Sequence, residues 1–231
     1  MPRPIQKQPL VGLVGAVGLL AMSCSSGQIG NAPRPLEPAL AVLTLGQTTP
    51  EDLLAPAAPR PEPVTVWDHL QRADERLYVV LLRHALAPGT GDPASFRLDD
   101  CATQRNLSPA GQAQAQRIGA AFRQRQISGV RVLSSQWCRC LDTAELMDLG
   151  PVEPFEPINS FFRDRNTAAQ QTAQVQRYLR EQPNQGVIVM VTHQVNITAL
   201  TGVFPGSGQA VVAMLDDAGQ LAQVGLLDAA E

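Results

Sequence analysis

The sequence lacks the excess of positive charge that a polyanionic partner would require. Its 18 basic and 21 acidic residues give a formal net charge of -3 over 231 residues. Aromatic residues make up only 4% of the chain, and no stretch interleaves them with basic residues. Because surfaces that bind nucleic acid need clustered positive charge, nucleic acid is excluded as an expected partner.

Residues that commonly bind metal ions are also scarce. The chain has three histidines and four cysteines, and the spacing of Cys138 and Cys140 does not match a zinc-binding pattern. A structural metal site is therefore not expected. In an oxidising compartment Cys101 could pair with either Cys138 or Cys140, and the sequence leaves both pairings open. One of the three cysteines that follow Cys24 is left over in either case.

The apolar stretch near the start of the chain, Leu10–Met22, is too short for a membrane-spanning helix of about 20 residues. It follows two basic residues and ends in small residues before Cys24, a pattern typical of an export signal. The residues before Cys24 resemble the lipobox of bacterial lipoproteins, with Ala21 where a leucine is usual. We predict an exported protein, periplasmic or membrane-anchored, with a signal over residues 1–24 and a tether through Cys24. An ordinary cleaved signal or an uncleaved anchor is the alternative.

Residues 25–65 are rich in proline and have little periodic apolar pattern. Eight prolines lie between Gln28 and Val64. This composition disfavours helices and cannot bury a core, so it predicts an extended, disordered tether. The folded domain is expected to span residues 66–231.

Strands and helices alternate along residues 66–231. Apolar runs without charge predict the strands, and apolar stripes at helical spacing predict the helices. The predicted strands are 77–82, 130–135, 152–158, 186–192, 209–215 and 221–227, and the predicted helices are 67–73, 108–124, 136–148 and 168–179. The strand at 152–158 is the weakest candidate because two prolines interrupt it. The alternation predicts an α/β fold, a three-layer α/β/α sandwich with a mostly parallel sheet.

Reactive side chains follow three of the predicted strands. Arg83 and His84 end the first strand, Arg139 comes soon after the second, and His193 directly follows the strand at 186–192. The carboxyl ends of parallel strands share one edge of the sheet, so these side chains are expected to meet. Two guanidinium groups and two imidazoles suit a multiply charged anion, and phosphate is the natural candidate.

Four short motifs resemble those of the histidine phosphatase superfamily, which has the phosphoglycerate-mutase-like fold. Residues 83–85 resemble its R-H-G/A signature, and residues 107–111 its L-T/S-x-x-G helix start. Residues 134–144 resemble its S-S-x-x-x-R-x-x-x-T-A segment, and residues 191–193 its second histidine at a strand end. The similarity covers about residues 77–215.

The resemblance implies a mechanism and a class of substrate. His84 would attack phosphorus and form a transient phosphohistidine that water hydrolyses, while Arg83, Arg139 and His193 would stabilise the phosphoryl oxygens. The resemblance implies a phosphatase that needs no metal or cofactor and acts on a phosphorylated small molecule or envelope glycolipid. A phosphomutase and a catalytically idle module that binds a phosphorylated ligand are the alternatives.

The sequence departs from the family pattern where many relatives carry an acidic residue. The stretch 158–162 reads I-N-S-F-F, so the family glutamate that acts as general acid is absent. Asp164, Asp99, Asp100 or a water molecule would then protonate the leaving group, unless that group departs without help. The continuation of the first motif that is typical of mutases is also missing, which disfavours mutase activity.

Other residues lie beside these motifs. The stretches 99–105 and 194–196 could line the substrate pocket, with loop capping or helix initiation as the alternative. Trp137 and Cys138 are expected to pack their helix. A disulfide between Cys101 and Cys138 would fix the loop after His84 to the helix that carries the arginine.

Overall fold

A six-stranded sheet forms the centre of the computed structural model, which describes residues 64–216 and 218–228. These residues belong to one compact unit, Pro59–Glu231. The predicted export signal lies outside the described residues, as does the predicted tether apart from its last two residues. Within the described part of the chain, no helix is both long and apolar enough to cross a membrane.

The sheet is mostly parallel, as the sequence predicts. Its strands are β1 (Leu77–Arg83), β2 (Arg131–Ser134), β3 (Val152–Pro154), β4 (Gly186–Thr192), β5 (Gln209–Leu215) and β6 (Leu221–Asp228). They lie in the order β3-β2-β4-β1-β5-β6. The first four strands in this order run parallel, and β5 and β6 each run antiparallel to the preceding neighbour. The carboxyl ends of β1, β2 and β4 therefore share one edge.

The predicted strand at 152–158 is shorter than expected. The ladder ends at Pro154, and a 3₁₀ helix, Glu156–Ile158, follows. Pro154 and Pro157 lack the N–H groups that a longer ladder would use, which accounts for the early end.

Within residues 64–216 and 218–228, five α-helices accompany the sheet, one more than the sequence predicts. They are α1 (Val66–Gln71), α2 (Pro109–Gln124), α3 (Cys138–Met147), α4 (Ala168–Arg180) and α5 (Gln194–Thr201). The unpredicted helix is α5, which begins directly after His193. Its sequence, Q-V-N-I-T-A-L-T, is rich in β-branched residues with low helix propensity and has no clear apolar stripe.

The core has two halves, one on each face of the sheet. On one face Ile118 of α2 and Met147 of α3 pack with Leu82 of β1. On the other face Leu179 of α4 packs with Leu81 of the same strand. Successive side chains of a strand point to opposite faces, so the apolar run of β1 contributes to both halves. This arrangement confirms the three-layer α/β/α sandwich and holds the end of β1 rigidly.

Candidate active site

His84 lies at the carboxyl end of β1 with its main chain and ring both fixed. Its N–H donates to the Thr192 carbonyl at 2.9 Å, and its carbonyl accepts from the Gly208 N–H at 3.3 Å. The ring Nδ1 lies 2.8 Å from the Ala85 carbonyl oxygen. Because a carbonyl can only accept, Nδ1 carries the proton and Nε2 keeps its lone pair.

The charge of His84 is set by its surroundings. The residue is only 2% exposed. Burial, and then the nearby charge of Arg139, lower its pKa to about 3. The imidazole is therefore neutral at physiological pH, which is the form that can act as a nucleophile.

Thr143 of α3 links the two predicted motifs that carry His84 and Arg139. Its Oγ1 accepts a hydrogen bond from the Ala85 N–H at 3.0 Å. The same hydroxyl donates to the Arg139 carbonyl one turn earlier, at 2.6 Å. Because both bonds are buried, the position of α3 is fixed relative to the end of β1.

The predicted helix-start motif brings α2 against the segment after His84. Ser108 caps α2, accepting a hydrogen bond from the Gly111 N–H at 3.1 Å. The Ser108 N–H donates to the Leu86 carbonyl at 3.1 Å. A Cβ atom at Gly111 would lie 2.1 Å from the Leu86 carbonyl oxygen, so the motif requires glycine there.

Arg139 is buried and forms a two-pronged ion pair with Asp92. The two terminal nitrogens lie 2.6 Å and 3.1 Å from the carboxylate oxygens, and the indole Nε1 of Trp137 donates to the same carboxylate at 3.1 Å. Burial raises the pKa of Asp92, but the hydrogen bonds and charge of Arg139 outweigh it and hold the pKa below its ordinary value.

Sequence reasoning missed Asp92. It lies in the glycine- and proline-rich loop after β1, which the sequence marked only as a turn. The one available signal was an acidic residue within a loop next to two predicted cationic motifs. Its contact with Arg139 joins residues 47 positions apart, which local pattern does not reveal.

His193 completes the group of four predicted side chains. Its ring centroid lies 5.5 Å from that of His84. A terminal nitrogen of Arg139 lies 3.5 Å from its Nδ1. A guanidinium only donates, so Nδ1 accepts, and Nε2 then donates to Ser135 Oγ at 2.9 Å. Burial, followed by the neighbouring His84 and the arginines, lowers the pKa of His193 well below its ordinary value.

The contact with His193 accounts for the second serine of the S-S motif, Ser135. Its hydroxyl accepts a hydrogen bond from the His193 Nε2–H and donates one to Asn159 Oδ1 at 3.2 Å. Asn159 Oδ1 also accepts from the Gln136 N–H at 2.8 Å. This chain fixes the orientation of the His193 ring.

The cavity that contains these groups is strongly cationic. It encloses about 280 Å³ and is lined by four arginines, namely Arg83, Arg105, Arg139 and Arg163. Among the described lining residues the carboxylate of Asp92 is the one acidic group. Burial and the charge of Arg139 lower the pKa of both Arg83 and Arg105. An anion entering the cavity would relieve this mutual repulsion.

Two of the arginines have donors that no described residue satisfies. The buried Nε–H groups of Arg83 and Arg139 have no hydrogen-bond partner within the described ranges. Arg83 uses another nitrogen to donate to the Pro205 carbonyl at 2.9 Å. Buried donors without partners are costly, so a ligand with several acceptor oxygens fits this cavity.

The predicted candidates for the general acid do not lie in the cavity. The Asp99 side chain is 87% exposed and pairs with Arg97. Asp100 caps the 3₁₀ helix Cys101–Thr103, and Asp164 caps the next residues in its own loop. The structure does not support these three candidates, because none of them is among the described residues that line the cavity. Among all the described residues, including those of the cavity, no group of three or more His, Cys, Asp or Glu could hold a metal ion.

Several neighbours of the motifs do line the cavity. Arg105 from the stretch 99–105, and Gln194 and Val195 from the stretch 194–196, are among its walls. Arg105 donates to the Gly91 carbonyl at 2.9 Å and also to the Ala87 carbonyl, which fixes the loop after His84.

Trp137 packs against the core beside α3, as expected, and it also forms part of the cavity wall. Its ring stacks on Phe96 with centroids 5.1 Å apart. Its ring centroid also lies 5.3 Å from that of His193, with the two rings nearly perpendicular. The N–H of its indole is held by Asp92. The residue precedes α3 rather than lying within it, so its side chain is free to face the site.

Cys101 and Cys138 form a disulfide, one of the pairings that the sequence left open. It joins the loop after His84 to the first residue of α3. The remaining described thiol, Cys140, is buried, with its sulfur 3.5 Å from His193 Nε2. Burial raises the pKa of Cys140 to about 12, so it stays protonated.

Comparison with known families decides the affiliation. Residues 79–161 match the model of the histidine phosphatase superfamily, branch 1. The matched range includes His84, Arg139 and the motif at 107–111. The match assigns residues 79–161 to the histidine phosphatase superfamily. No curated protein is significantly similar to it in sequence.

Solved structures share the fold at low sequence identity. A provisionally assigned α-ribazole-5′-P phosphatase from Escherichia coli is 17% identical, with a TM-score of 0.50 over 65% of this chain and 96% of that one. A provisionally assigned phosphohistidine phosphatase SixA from Agrobacterium tumefaciens is 21% identical, with a TM-score of 0.46, over 65% and 97%. A phosphoserine phosphatase from Entamoeba histolytica is 12% identical, with a TM-score of 0.48, over 65% and 96%.

Proposed function

We propose that this member of the superfamily is a phosphomonoester hydrolase that works through a phosphohistidine on His84. The observation that carries the proposal is a neutral histidine with a free Nε2 lone pair inside a cavity lined by four arginines. A neutral nucleophile and surrounding cations are what transfer of a dianionic phosphoryl group requires.

The first step transfers the phosphoryl group to His84. The Nε2 lone pair attacks phosphorus, and the bond from phosphorus to the leaving oxygen breaks with its electron pair on that oxygen. Arg83 and Arg139 stabilise the charge that spreads over the three remaining oxygens. The Nδ1–H of His84 stays bonded to the Ala85 carbonyl, which supports the positive charge that develops on the ring.

The second step releases inorganic phosphate. Water attacks phosphorus, the bond from phosphorus to Nε2 breaks, and the electron pair returns to the imidazole. The proton that water loses passes to solvent or to the departing phosphate. His84 is then neutral again, and its low pKa favours this form.

Asp92 would act as a positioning residue in this scheme. It holds both terminal nitrogens of Arg139 while leaving the Nε–H of that guanidinium without a partner. The second hydrogens of the terminal nitrogens are directed at the Arg105 carbonyl, at 3.3 Å, and at His193 Nδ1, at 3.5 Å. The Nε–H of Arg139 is therefore the donor left for phosphate, while the carboxylate fixes the orientation of the guanidinium.

The test compares turnover of p-nitrophenyl phosphate by the wild type, His84→Ala, Arg139→Ala and Arg177→Ala. Arg177 is exposed on α4 and serves as the matched control. We expect His84→Ala to abolish turnover, Arg139→Ala to lower kcat by roughly a hundredfold or more, and the control to match the wild type. Acid-labile phosphate should be trapped on the wild type but not on His84→Ala.

Other outcomes would point to the alternatives. No turnover by the wild type, with phosphate affinity unchanged in His84→Ala, would indicate a binding module. Transfer of phosphate to a second hydroxyl compound without release of inorganic phosphate would indicate a mutase.

We further propose that the enzyme acts outside the cytoplasm on a small or envelope-linked phosphate ester, tethered through Cys24. The disulfide between Cys101 and Cys138 supports export because such bonds persist in oxidising compartments. Labelled fatty acid should be incorporated into the wild type and not into Cys24→Ser, and only the wild type should stay in the membrane fraction. An unlabelled wild type would contradict the tether.

A further inference from the structure

The residues that line the cavity beside the arginines indicate which group is esterified to the phosphate of the substrate. We infer that the leaving group is a phenol, so that an aromatic ring is bonded directly to the phosphate oxygen of the substrate. The inference rests on the proposed phosphatase activity and names the class of ester on which it acts. Two separate features carry it, an aromatic rim and the lack of a proton donor.

The aromatic rim consists of Phe96, Trp137, Phe162 and Phe204, all of which line the cavity that contains His84. Phe204 is 72% exposed and Phe162 is 46% exposed, so both present apolar surface to whatever enters. Trp137 lies next to the catalytic groups, because its ring centroid is 5.3 Å from that of His193. A flat ring attached to a phosphate that the arginines bind would contact these aromatic surfaces.

The rest of the lining is poorly suited to a sugar. Apart from His84, His193 and Trp137, the described lining residues with neutral hydrogen-bonding side chains are Thr90, Ser160 and Gln194. A phosphorylated sugar has several hydroxyl groups, and each would need a partner when water is excluded. An aromatic group has few such needs, and the rim offers it apolar contact instead.

The chemistry of the cavity favours the same class. Asp92 is the one carboxylate among the described lining residues, and both of its oxygens are occupied by Arg139, one of them also by Trp137. It is held ionised and has no proton to give. No described carboxylic acid of the lining can protonate the leaving oxygen, so a group that departs as an anion fits this cavity best.

A phenol meets this requirement and an alkyl alcohol does not. The hydroxyl of a phenol has a pKa near 10, as in tyrosine, whereas alkyl alcohols are far weaker acids. When His84 Nε2 attacks, the bond from phosphorus to the aryl oxygen breaks, the electron pair stays on that oxygen, and the phenolate later takes a proton from solvent. Protonation during bond cleavage is not needed.

The first experiment separates recognition of the ring from departure of the oxygen. Phenyl phosphate has both features, benzyl phosphate has a ring but an alkyl leaving oxygen, and glycerol 3-phosphate has neither. We expect kcat/KM for phenyl phosphate to exceed that for benzyl phosphate by roughly 10²–10⁴, the factor that a general acid otherwise supplies. Benzyl phosphate should still inhibit competitively at lower concentrations than glycerol 3-phosphate. Equal kcat/KM for phenyl and benzyl phosphate would overturn the inference.

The second experiment tests the rim directly. Phe204→Ala and Phe162→Ala should each raise KM for phenyl phosphate by about threefold to tenfold, while inhibition by inorganic phosphate stays unchanged. Leu226→Ala is the matched control, since Leu226 is 59% exposed and is not part of the cavity wall. An unchanged KM in both phenylalanine variants would overturn the role of the rim.

The source of the aryl phosphate is addressed by comparing free O-phosphotyrosine with a peptide that contains it. Equal kcat/KM supports a small aryl ester, and a higher value for the peptide supports a protein-borne one. Failure of the two proposals is distinguishable. If glycerol 3-phosphate is hydrolysed through His84 faster than phenyl phosphate, only this inference fails. If no ester is hydrolysed, the proposed function fails and this inference fails with it.

Discussion

The two histidines of the cavity are buried, and burial keeps them uncharged. His84 is 2% exposed and His193 is 4% exposed. In both, burial is the largest cause of a lowered pKa. A neutral imidazole suits nucleophilic attack, but it also makes the folded protein sensitive to acid, since the unfolded chain binds a proton more readily.

This sensitivity gives a prediction for His84→Gln. Above a pH of about 6.5 the histidine is neutral in both states, and below it only the unfolded chain takes up the proton until the pH approaches 3. Stability is therefore lost as the pH falls. Between pH 7 and pH 5 the free energy of unfolding should fall by about 2 kcal/mol more in the wild type than in His84→Gln. Urea denaturation at the two pH values measures this difference, and equal losses would contradict it.

Asp92 gives a second prediction, because its charge lies where a phosphate would bind. In Asp92→Asn the Arg139 guanidinium keeps a hydrogen-bond partner but loses the competing anion. Inorganic phosphate should then bind more tightly, by roughly tenfold or more, while kcat falls because Arg139 is less firmly oriented.

Inhibition constants for phosphate together with kcat test this split. Asp99→Asn is the control, since that carboxylate is 87% exposed and lies outside the cavity. Weaker phosphate binding in Asp92→Asn would show that the carboxylate does not compete with the ligand.

At the level of helices and strands, the site depends on how α3 is attached to the end of β1. One buried hydroxyl contributes to this attachment, since Thr143 Oγ1 accepts from the Ala85 N–H and donates to the Arg139 carbonyl. It helps to hold His84, at the end of β1, in register with Arg139 on α3.

Thr143→Val keeps the shape of the side chain and removes the hydroxyl. The buried N–H of Ala85 then lacks an acceptor, which should cost about 1–3 kcal/mol of stability. Thr143→Ser retains the hydroxyl and should stay closer to the wild type. We expect kcat/KM to fall in the valine variant and to recover in the serine variant, as measured alongside urea denaturation. A serine variant as inactive as the valine variant would assign the effect to packing.

The longer strands were the most predictable elements because most of their residues form uncharged apolar runs. Strands β4, β5 and β6 were predicted within one residue of their ends. Helix α5 was not predicted, because its β-branched residues favour strands and because its start depends on the end of β4. The local sequence pattern alone therefore does not identify this helix, because its first residue is positioned by the end of β4.

The four predicted site residues were identifiable because each follows a strand or a recognisable motif. Asp92, Phe96 and Arg163 were not, because they lie in irregular loops whose position depends on distant contacts. Arg163, for example, donates to the main-chain carbonyl of Asp92 at 2.6 Å, 71 residues away in sequence. The sequence therefore predicted the arginines and histidines of the site, but not the loop residues that complete the cavity wall.

At the scale of the whole molecule, the structure of the cavity and the proposed export are connected by the disulfide between Cys101 and Cys138. The disulfide between Cys101 and Cys138 closes a loop of 37 residues that contains all of α2 and β2, and it anchors Trp137 and Arg139 to the loop after His84. Such a bond forms readily outside the cytoplasm and rarely inside it. The compartment that the chain reaches therefore decides whether the cavity is cross-linked.

A variant that lacks residues 1–24 and stays in a reducing cytosol should accordingly differ from the exported protein. Closure of a loop of this length contributes about 4 kcal/mol to stability in the chain-entropy model. We expect the cytosolic form to have free thiols at Cys101 and Cys138, a free energy of unfolding lower by up to that amount, and a raised KM because the rim residue Trp137 is less fixed. Oxidation of the purified protein should restore both properties. The double variant Cys101→Ala/Cys138→Ala should show no difference between compartments, and a cytosolic form as stable as the exported one would contradict the coupling.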